Sequence, residues 1–408
     1  MPDTHKIRIE HLIKVYGSKP QDALQMFRAG ANRDDILEKT GQVLGIADVS
    51  LQVAPGEIFV VMGLSGSGKS TLVRCINRLI DPTSGHIYID DIDVAHADAK
   101  QMRQIRLKRV SMVFQRFGLL PHKTVAENVE YGLKVGGVDK RRRREKALDT
   151  LETVRLAQWA DYLPASLSGG MQQRVGLARA LATDAEILLM DEPFSALDPL
   201  IRRGMQGELL RLQRELNKTI VFISHDIQEA LRIGDRIAVM KDGYVVQVGT
   251  PEELVTNPAD DYIRAFIQDV NRAQVLKTGT VARQTIPIIL GQDSATAAFS
   301  QMQQRQLSQM YVLDRQGRPV GILHHTLLEK AMQQGDIEIT QVMQTDFPKV
   351  NAATSLESVF HMCRMGTPVA VVDDTGKFQG VIESADILAS IGRLSAAAEE
   401  VNQDAQAS

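Results

Sequence analysis

The sequence predicts an α/β protein built on a parallel sheet, followed by a smaller α+β unit. Three observations lead there. A short apolar run, Ile58-Phe59-Val60-Val61-Met62, feeds directly into Gly63-Leu64-Ser65-Gly66-Ser67-Gly68-Lys69-Ser70 and then into a helical pattern. Runs of this kind mark strands buried on both faces. Two similar runs, Ile187 to Met190 and Ile220 to Ile223, end in Asp191-Glu192 and Ser224-His225-Asp226. Beyond about residue 272 an internal repeat begins: Asp314-Arg315-Gln316-Gly317 recurs 59 residues later as Asp373-Asp374-Thr375-Gly376, each between two apolar stretches.

The 408 residues are 44% hydrophobic and 24% charged, enough for two or three domains with cores of their own. The formal charge of −3 argues against a general polyanion or nucleic-acid binder, so any basic site must be local. Two cysteines, Cys75 and Cys363, exclude a disulfide scaffold. The first ten residues lack the apolar core of a signal peptide. No apolar run approaches the roughly 18 residues that span a bilayer, so work at a membrane is expected from its surface.

Taken in order, Ile7 to Val15 alternates apolar and polar residues and reads as an edge strand. Residues 17–45 carry Ala23, Leu24, Met26, Phe27, Ile36 and Leu37 at helical spacing and read as a helical insert. A strand at 48–53 ends at Pro55-Gly56. Residues 71–79 read as a helix with Leu72, Val73, Ile76 and Leu79 on one face. Residues 116–166 form a helical lobe. The first domain is expected over 1–270 and the second over 274–393, with repeats at about 274–333 and 340–393, each a strand, an Asp-x-x-Gly turn, a strand and a helix. The tail, 396–408, is small, polar and acidic, and is expected to be disordered.

The candidate chemistry lies at strand ends. Gly63 to Ser70 fits G-x-x-x-x-G-K-S between a buried strand and a helix, the context in which such a loop cradles phosphate. Gly63, Gly66 and Gly68 let backbone N–H groups wrap an anion, and the helix N-terminus adds partial positive charge. Lys69 can reach β- and γ-phosphates, and the Ser70 hydroxyl can ligate Mg²⁺. Asp191 suits the metal-side carboxylate, and Glu192 a base for attacking water. Ligands of parallel sheets bind at the carboxyl ends of strands, so the three strand ends point to one site. Leu167-Ser168-Gly169-Gly170-Met171-Gln172-Gln173 precedes an alanine-rich helix, with Ser168 a good N-cap. By itself this stretch is equally a plain capped helix.

The ordered set resembles the nucleotide-binding subunits of ABC transporters. It comprises the loop at 63–70, Gln115 after Ser111-Met112-Val113-Phe114, the signature Leu167 to Gln173, Asp191-Glu192, the D-loop Ser195-Ala196-Leu197-Asp198, and His225. The resemblance covers about residues 5–270 and implies an ABC-type nucleotide-hydrolysing domain with a helical subdomain. It implies ATP and Mg²⁺ as cofactors. Gly63, Ser65, Gly66, Gly68, Lys69, Ser70, Thr71 and Gln115 would hold ATP, with Ser70, Gln115 and Asp191 on magnesium. Glu192 and His225 would be catalytic. Tyr16 would stack on adenine, although the insert after it makes a core tyrosine the alternative. Ser168, Gly169, Gly170 and Gln173 would close over the ATP of a second copy bound head to tail, and Asp198 would cross that interface.

More narrowly, the insert ending Ile36-Leu37-Glu38-Lys39-Thr40-Gly41, the stretch from Met62 to Ile80 and the C-terminal repeat are similar to the ATPase subunit of glycine betaine/proline betaine importers. The repeat resembles a tandem CBS pair over about 274–393. This implies uptake of a compatible solute driven by ATP hydrolysis at the cytoplasmic face of the plasma membrane. The partners would be a membrane permease and a solute receptor, separate or fused; an importer of carnitine, choline or proline is the alternative. CBS pairs that bind adenine nucleotides carry Ser/Thr and Asp after the second strand. Here those positions are His324 and Leu327, then Glu383 and Asp386, so only Asp386 remains as a ligand candidate. Cyclic di-AMP or another adenine nucleotide at a CBS dimer interface, or dimerisation alone, both stay open. The run Lys140-Arg141-Arg142-Arg143-Arg144-Glu145-Lys146 is either a solvated helix face or a sensor of anionic membrane. A soluble ABC protein working on ribosomes or DNA would carry two cassettes or long coiled coils, and neither pattern is present.

Overall fold

The computed structural model describes residues 5–115, 118–195, 197–333 and 337–390. The expected tail at 396–408, the last residues of the second repeat and Ala196 of the D-loop lie outside them. The chain divides into two compact units, the first ending at Gln268 and the second starting at Asp269.

The first unit carries two sheets. β1 (Ile7–Tyr16), β2 (Val43–Val53), β4 (Ser84–Ile89) and β5 (Ile92–Asp93) form an antiparallel sheet in the order β2-β1-β4-β5. The sequence reading had β1 at an edge; it lies inside, because both of its flanks find partners from distant segments. β2 also begins five residues earlier than expected, at Val43, which pairs with Tyr16. The insert is therefore an excursion from a closed hairpin. It holds two helices, Pro20–Arg28 and Arg33–Thr40, and buries Ala23, Leu24 and Ile36 against Ile13, Val15, Leu44 and Ala47. Leu37 stays exposed.

The second sheet is formed by β3 (Ile58–Met62), β6 (Val110–Val113), β7 (Ile187–Asp191), β8 (Thr219–Ser224), β9 (Arg236–Lys241) and β10 (Tyr244–Gly249), in the order β10-β9-β3-β8-β7-β6. All neighbours are parallel except β9 and β10, a hairpin turned at Asp242-Gly243. β3, β7 and β8 are buried throughout, as their apolar runs require, with Asp191, Thr219 and Ser224 buried at strand ends. Helix Lys69–Ile76 packs against both sheets, and one core joins Ile7, Val53, Phe59, Leu72, Ile76, Ile87, Leu189 and Val221. That helix ends three residues earlier than expected. Arg78 takes a left-handed φ of 48°, and Leu79 is left exposed instead of joining the buried face.

The helical lobe holds helices Val125–Val135 and Lys140–Thr153, and helix Gly169–Leu181 packs on both, carrying the lobe beyond the expected limit at 166. Capping defines its helix starts: Thr124 and Glu127 form a capping box, and Asp139 accepts from the N–H groups of Arg141 and Arg142. No helix among the described residues is long and apolar enough to cross a membrane.

The second unit contains two three-stranded sheets of one topology. β11 (Ile288–Ile289) runs parallel to β12 (Gln309–Leu313), which pairs antiparallel with β13 (Pro319–His324). β14 (Lys349–Asn351), β15 (Val369–Val372) and β16 (Phe378–Ile382) repeat the arrangement. In each copy the turn aspartate accepts backbone N–H bonds two and four residues on: Asp314 from Gln316 and Arg318, Asp373 from Thr375 and Lys377. Tyr311, Ile322, Ala370 and Val381 form a buried cluster drawn from both copies, and the Tyr311 hydroxyl donates to the Pro368 carbonyl at 2.5 Å.

Candidate functional site

β3 delivers its loop to the carboxyl edge of the parallel sheet. A side chain at Gly63 would collide with the Met240 carbonyl, whereas Gly66, at φ 80°, has open space where a Cβ would point. The first glycine is needed for packing; the second leaves room for an anion to meet the backbone. The Lys69 ammonium donates to the carbonyls of Gly63 and Leu64 at 2.9 Å each. Burial holds it below the usual lysine range, against the opposing pull of Glu192 and Asp191.

The Ser70 hydroxyl donates to Asp191 Oδ1 at 2.8 Å, across 121 residues of sequence. Asp191 is buried, and its other oxygen accepts from Arg74 at 3.2 Å, a partner the sequence reading did not foresee. Arg74 follows Ser70 by one helical turn, a spacing that could have signalled it. Glu192, directly after β7, adopts φ 48°. Left-handed backbone is uncommon outside glycine and recurs at functional sites. Its carboxylate lies 3.1 Å from His225 Nδ1, and its Oε2 accepts from Gln115 Nε2 at 3.3 Å. Gln115 is thus brought to Glu192.

Tyr16, Ser65, Gly66, Gly68, Lys69, Ser70, Thr71, Glu192 and His225 border one cleft of ≈ 570 Å³. The Tyr16 hydroxyl is 2.9 Å from Thr71 Oγ1, so the closed β1–β2 hairpin carries this ring to the loop despite the intervening insert. Gly45 lies against the ring, where a Cβ would come within 2.8 Å. The insert adds Arg33 to the lining and the start of β2 adds Val43; Arg33 pairs with Asp242 at 3.3 Å. Neither was singled out from sequence, because nothing local marks either residue as facing a cleft.

The signature lies elsewhere. Ser168 caps helix Gly169–Leu181, with its hydroxyl 3.4 Å from the Met171 N–H, and Ser168 and Gly169 are exposed. Ser168 and Gly170 line a separate hollow of ≈ 280 Å³ with Arg155, Arg174 and Ile201. Gln173 is buried and its amide donates to the Pro193 carbonyl, so this side chain turns into its own chain. Asp198 caps helix Pro199–Leu216, accepting from Leu200 and Ile201 at 3.1 and 3.0 Å.

Two other candidate groups are engaged within the chain. Asp386 accepts from the Glu383 N–H at 2.9 Å and lies 3.8 Å from Arg283, whose guanidinium donates to Glu383 at 2.9 Å. The basic run is split by its helix: Arg143 pairs with Glu130 at 3.0 Å, and Arg144 with Asp161 at 2.6 Å, while Lys140, Arg141 and Arg142 are exposed. The five cations expected to act together are therefore two structural partners and three surface charges.

Residues 46–195 match the ABC transporter family, and residues 279–333 and 339–393 match the CBS domain. The chain is 45% identical over 402 residues to the glycine betaine transport ATP-binding protein OpuAA of Bacillus subtilis, covering 98% of this chain and 94% of that one. It is 45% identical over 394 residues to the glycine betaine/proline betaine transport system ATP-binding protein ProV of Escherichia coli, covering 95% and 98%. Among solved structures, the dimer of an ATP-binding cassette in a post-hydrolysis state, bound to ADP and Pi, matches 60% of this chain and 98% of its own at 34% identity and a TM-score of 0.51. Given the cleft at the sheet's carboxyl edge, the separate signature helix and this similarity along nearly the whole length, the chain belongs to the ATP-binding subunits of ABC transporters, in the group that carries a C-terminal pair of CBS domains.

Proposed function

We propose that this chain is the ATP-hydrolysing motor of an importer for glycine betaine or proline betaine. The observation that supports it most is the convergence of Ser70, Glu192 and His225 on one cleft, with Asp191 bonded to Ser70 beside it, in a chain similar end to end to proteins named for betaine transport. Lys69 and the loop N–H groups hold the phosphates, and Tyr16 meets the adenine. The hydroxyl of Ser70 beside the carboxylate of Asp191 is an all-oxygen donor set of the kind Mg²⁺ takes, and Mg²⁺ would neutralise charge on the phosphates. Glu192 takes a proton from water as its oxygen attacks the γ-phosphorus; the bond to the bridging oxygen breaks and ADP leaves. His225 and Gln115 orient the Glu192 carboxylate.

Ser168 to Gly170 serve a second copy. They cap a helix whose N-terminus faces outward, and they line none of the cleft of their own chain. The permease works through the membrane while this chain stays at its surface. The three outward cations, Lys140, Arg141 and Arg142, meet anionic lipid, where each is worth about 1 kcal/mol and is screened as ionic strength rises. The CBS pair regulates, with cyclic di-AMP the adenine nucleotide to try first.

The direct test is uptake into proteoliposomes holding this chain with its permease and receptor, and ATP inside. Betaine-dependent phosphate release is expected. Release stimulated by choline or carnitine and not by betaine would transfer the motor to another solute.

A further inference from the structure

A second cluster of metal-ligating side chains lies on the antiparallel sheet, and none of its residues borders the nucleotide cleft. β4 and β5 form a hairpin through Asp90-Asp91, with Tyr88 opposite Asp93. Alternation puts His86 and Tyr88 on one face of β4, the face Asp93 shares. The Val94 N–H then bonds the Ile87 carbonyl at 2.7 Å, which carries His96 back beside His86; their ring centroids are 5.0 Å apart. Both imidazoles aim the same atom at one oxygen: His86 Nδ1 and His96 Nδ1 each lie 2.8 Å from Asp93 Oδ2.

The arrangement is held from outside. Asp93 Oδ1 accepts from the Ala95 N–H at 3.1 Å, which leaves Oδ2 facing the histidines. The His86 ring stacks on Tyr88 at 5.9 Å, and Tyr88 carries the Arg8 guanidinium at 4.0 Å. Arg8 is itself paired with Glu10, which damps its repulsion of a cation. The ligand atoms all lie within 4.8 Å of one another, and both histidines are exposed, so an ion can enter from solvent.

We propose that His86, Asp93 and His96 bind a divalent transition-metal ion of the zinc class through two imidazole nitrogens and one carboxylate oxygen, with a further position left to water. Imidazole ligands suit Zn²⁺ and its neighbours and not Mg²⁺, which prefers oxygen. The site therefore discriminates against the cation expected in the cleft. A bound ion replaces the protons that now link the three side chains, and it clamps the β4–β5 hairpin to residues 94–97.

The test is a calorimetric titration of the full chain with Zn²⁺, with excess Mg²⁺ and ATP present, alongside the visible absorption of added Co²⁺. One Zn²⁺ per chain is expected at this site. His86→Ala and His96→Ala should each weaken it by about 100-fold or more, beyond the roughly 10- to 100-fold that loss of an outer-shell partner costs. Binding should also fall with pH as protons compete for the imidazoles. His11→Ala, which breaks the similar His11–Asp48 pair, should leave this binding unchanged. The milder His86→Gln substitution serves if the alanine variants unfold. No Zn²⁺ binding by the parent chain, or unaltered affinity and Co²⁺ spectrum in the His86 and His96 variants, would overturn the proposal.

Discussion

The two units treat the polar residues at their strand ends in opposite ways. In the first, Ser70, Glu192 and His225 converge from the ends of three parallel strands on a shared cleft, with Asp191 bonded to Ser70 and Glu192 held in a strained backbone conformation. In the second, comparable residues are consumed where they stand. Asp314 and Asp373 bind the N–H groups of their own turns, Asp386 caps a neighbouring N–H, and His324 contacts Gln344 at 3.2 Å. The difference lies in what the carboxylates are for. Local hydrogen bonds stabilise a turn and leave little capacity for a ligand, whereas a parallel sheet edge gathers groups that have no local partner.

The strongest way to break this comparison is Glu192→Gln, which keeps shape and removes basicity. ATP turnover should fall by roughly 10²–10⁴, the range of general-base catalysis, while ATP binding persists. Near-normal turnover would remove Glu192 from the chemistry. Next, Tyr16→Ala should raise the KM for ATP by about 5- to 150-fold with kcat little changed, since aromatic stacking on a base is worth about 1–3 kcal/mol. An unchanged KM would return Tyr16 to a packing role.

Smaller effects are expected away from the cleft. Replacing Lys140, Arg141 and Arg142 with glutamine should lower the salt concentration at which transport in anionic liposomes begins. Replacing Arg143 alone should instead lower thermal stability, because it takes from the buried Glu130 carboxylate the nearer of its two arginine partners and leaves only Arg144 at 3.5 Å. Equal salt shifts from both would erase the division between surface and structural cations. Smallest of all, Asp314→Ala should cost on the order of 1 kcal/mol in stability through the lost turn bonds, with turnover untouched. Turnover loss with that variant would mean the second unit's turns are not merely structural.

Much of the site was legible because its parts are local. The loop at 63–70, the strand ends at 191–192 and 224–226, and the Asp-x-x-Gly repeats are each specified within about ten residues. The hairpin at Asp242-Gly243 is equally local, since an Asp-Gly pair between apolar runs is a strong turn signal. The position of β1 inside its sheet was not legible: alternation reports which face is buried, and says nothing about which flank is paired. The end of helix Lys69–Ile76 was also hidden, because Arg78, not a glycine, takes the left-handed turn.

By itself, the sequence determined which segments are strands buried on both faces, where a phosphate can meet bare backbone, and that the second unit is a duplication. These depend on side-chain type and short spacing, which govern burial and local hydrogen bonding. Only the tertiary structure decided which groups meet. Ser70 reaches Asp191 across 121 residues, Gln115 reaches Glu192 across 77, and His225 reaches Glu192 across 33. It also turned Gln173 inward, divided the basic run and gathered His86, Asp93 and His96. Such meetings follow from strand order and helix packing, which emerge from the whole core and are written in no single stretch of chain.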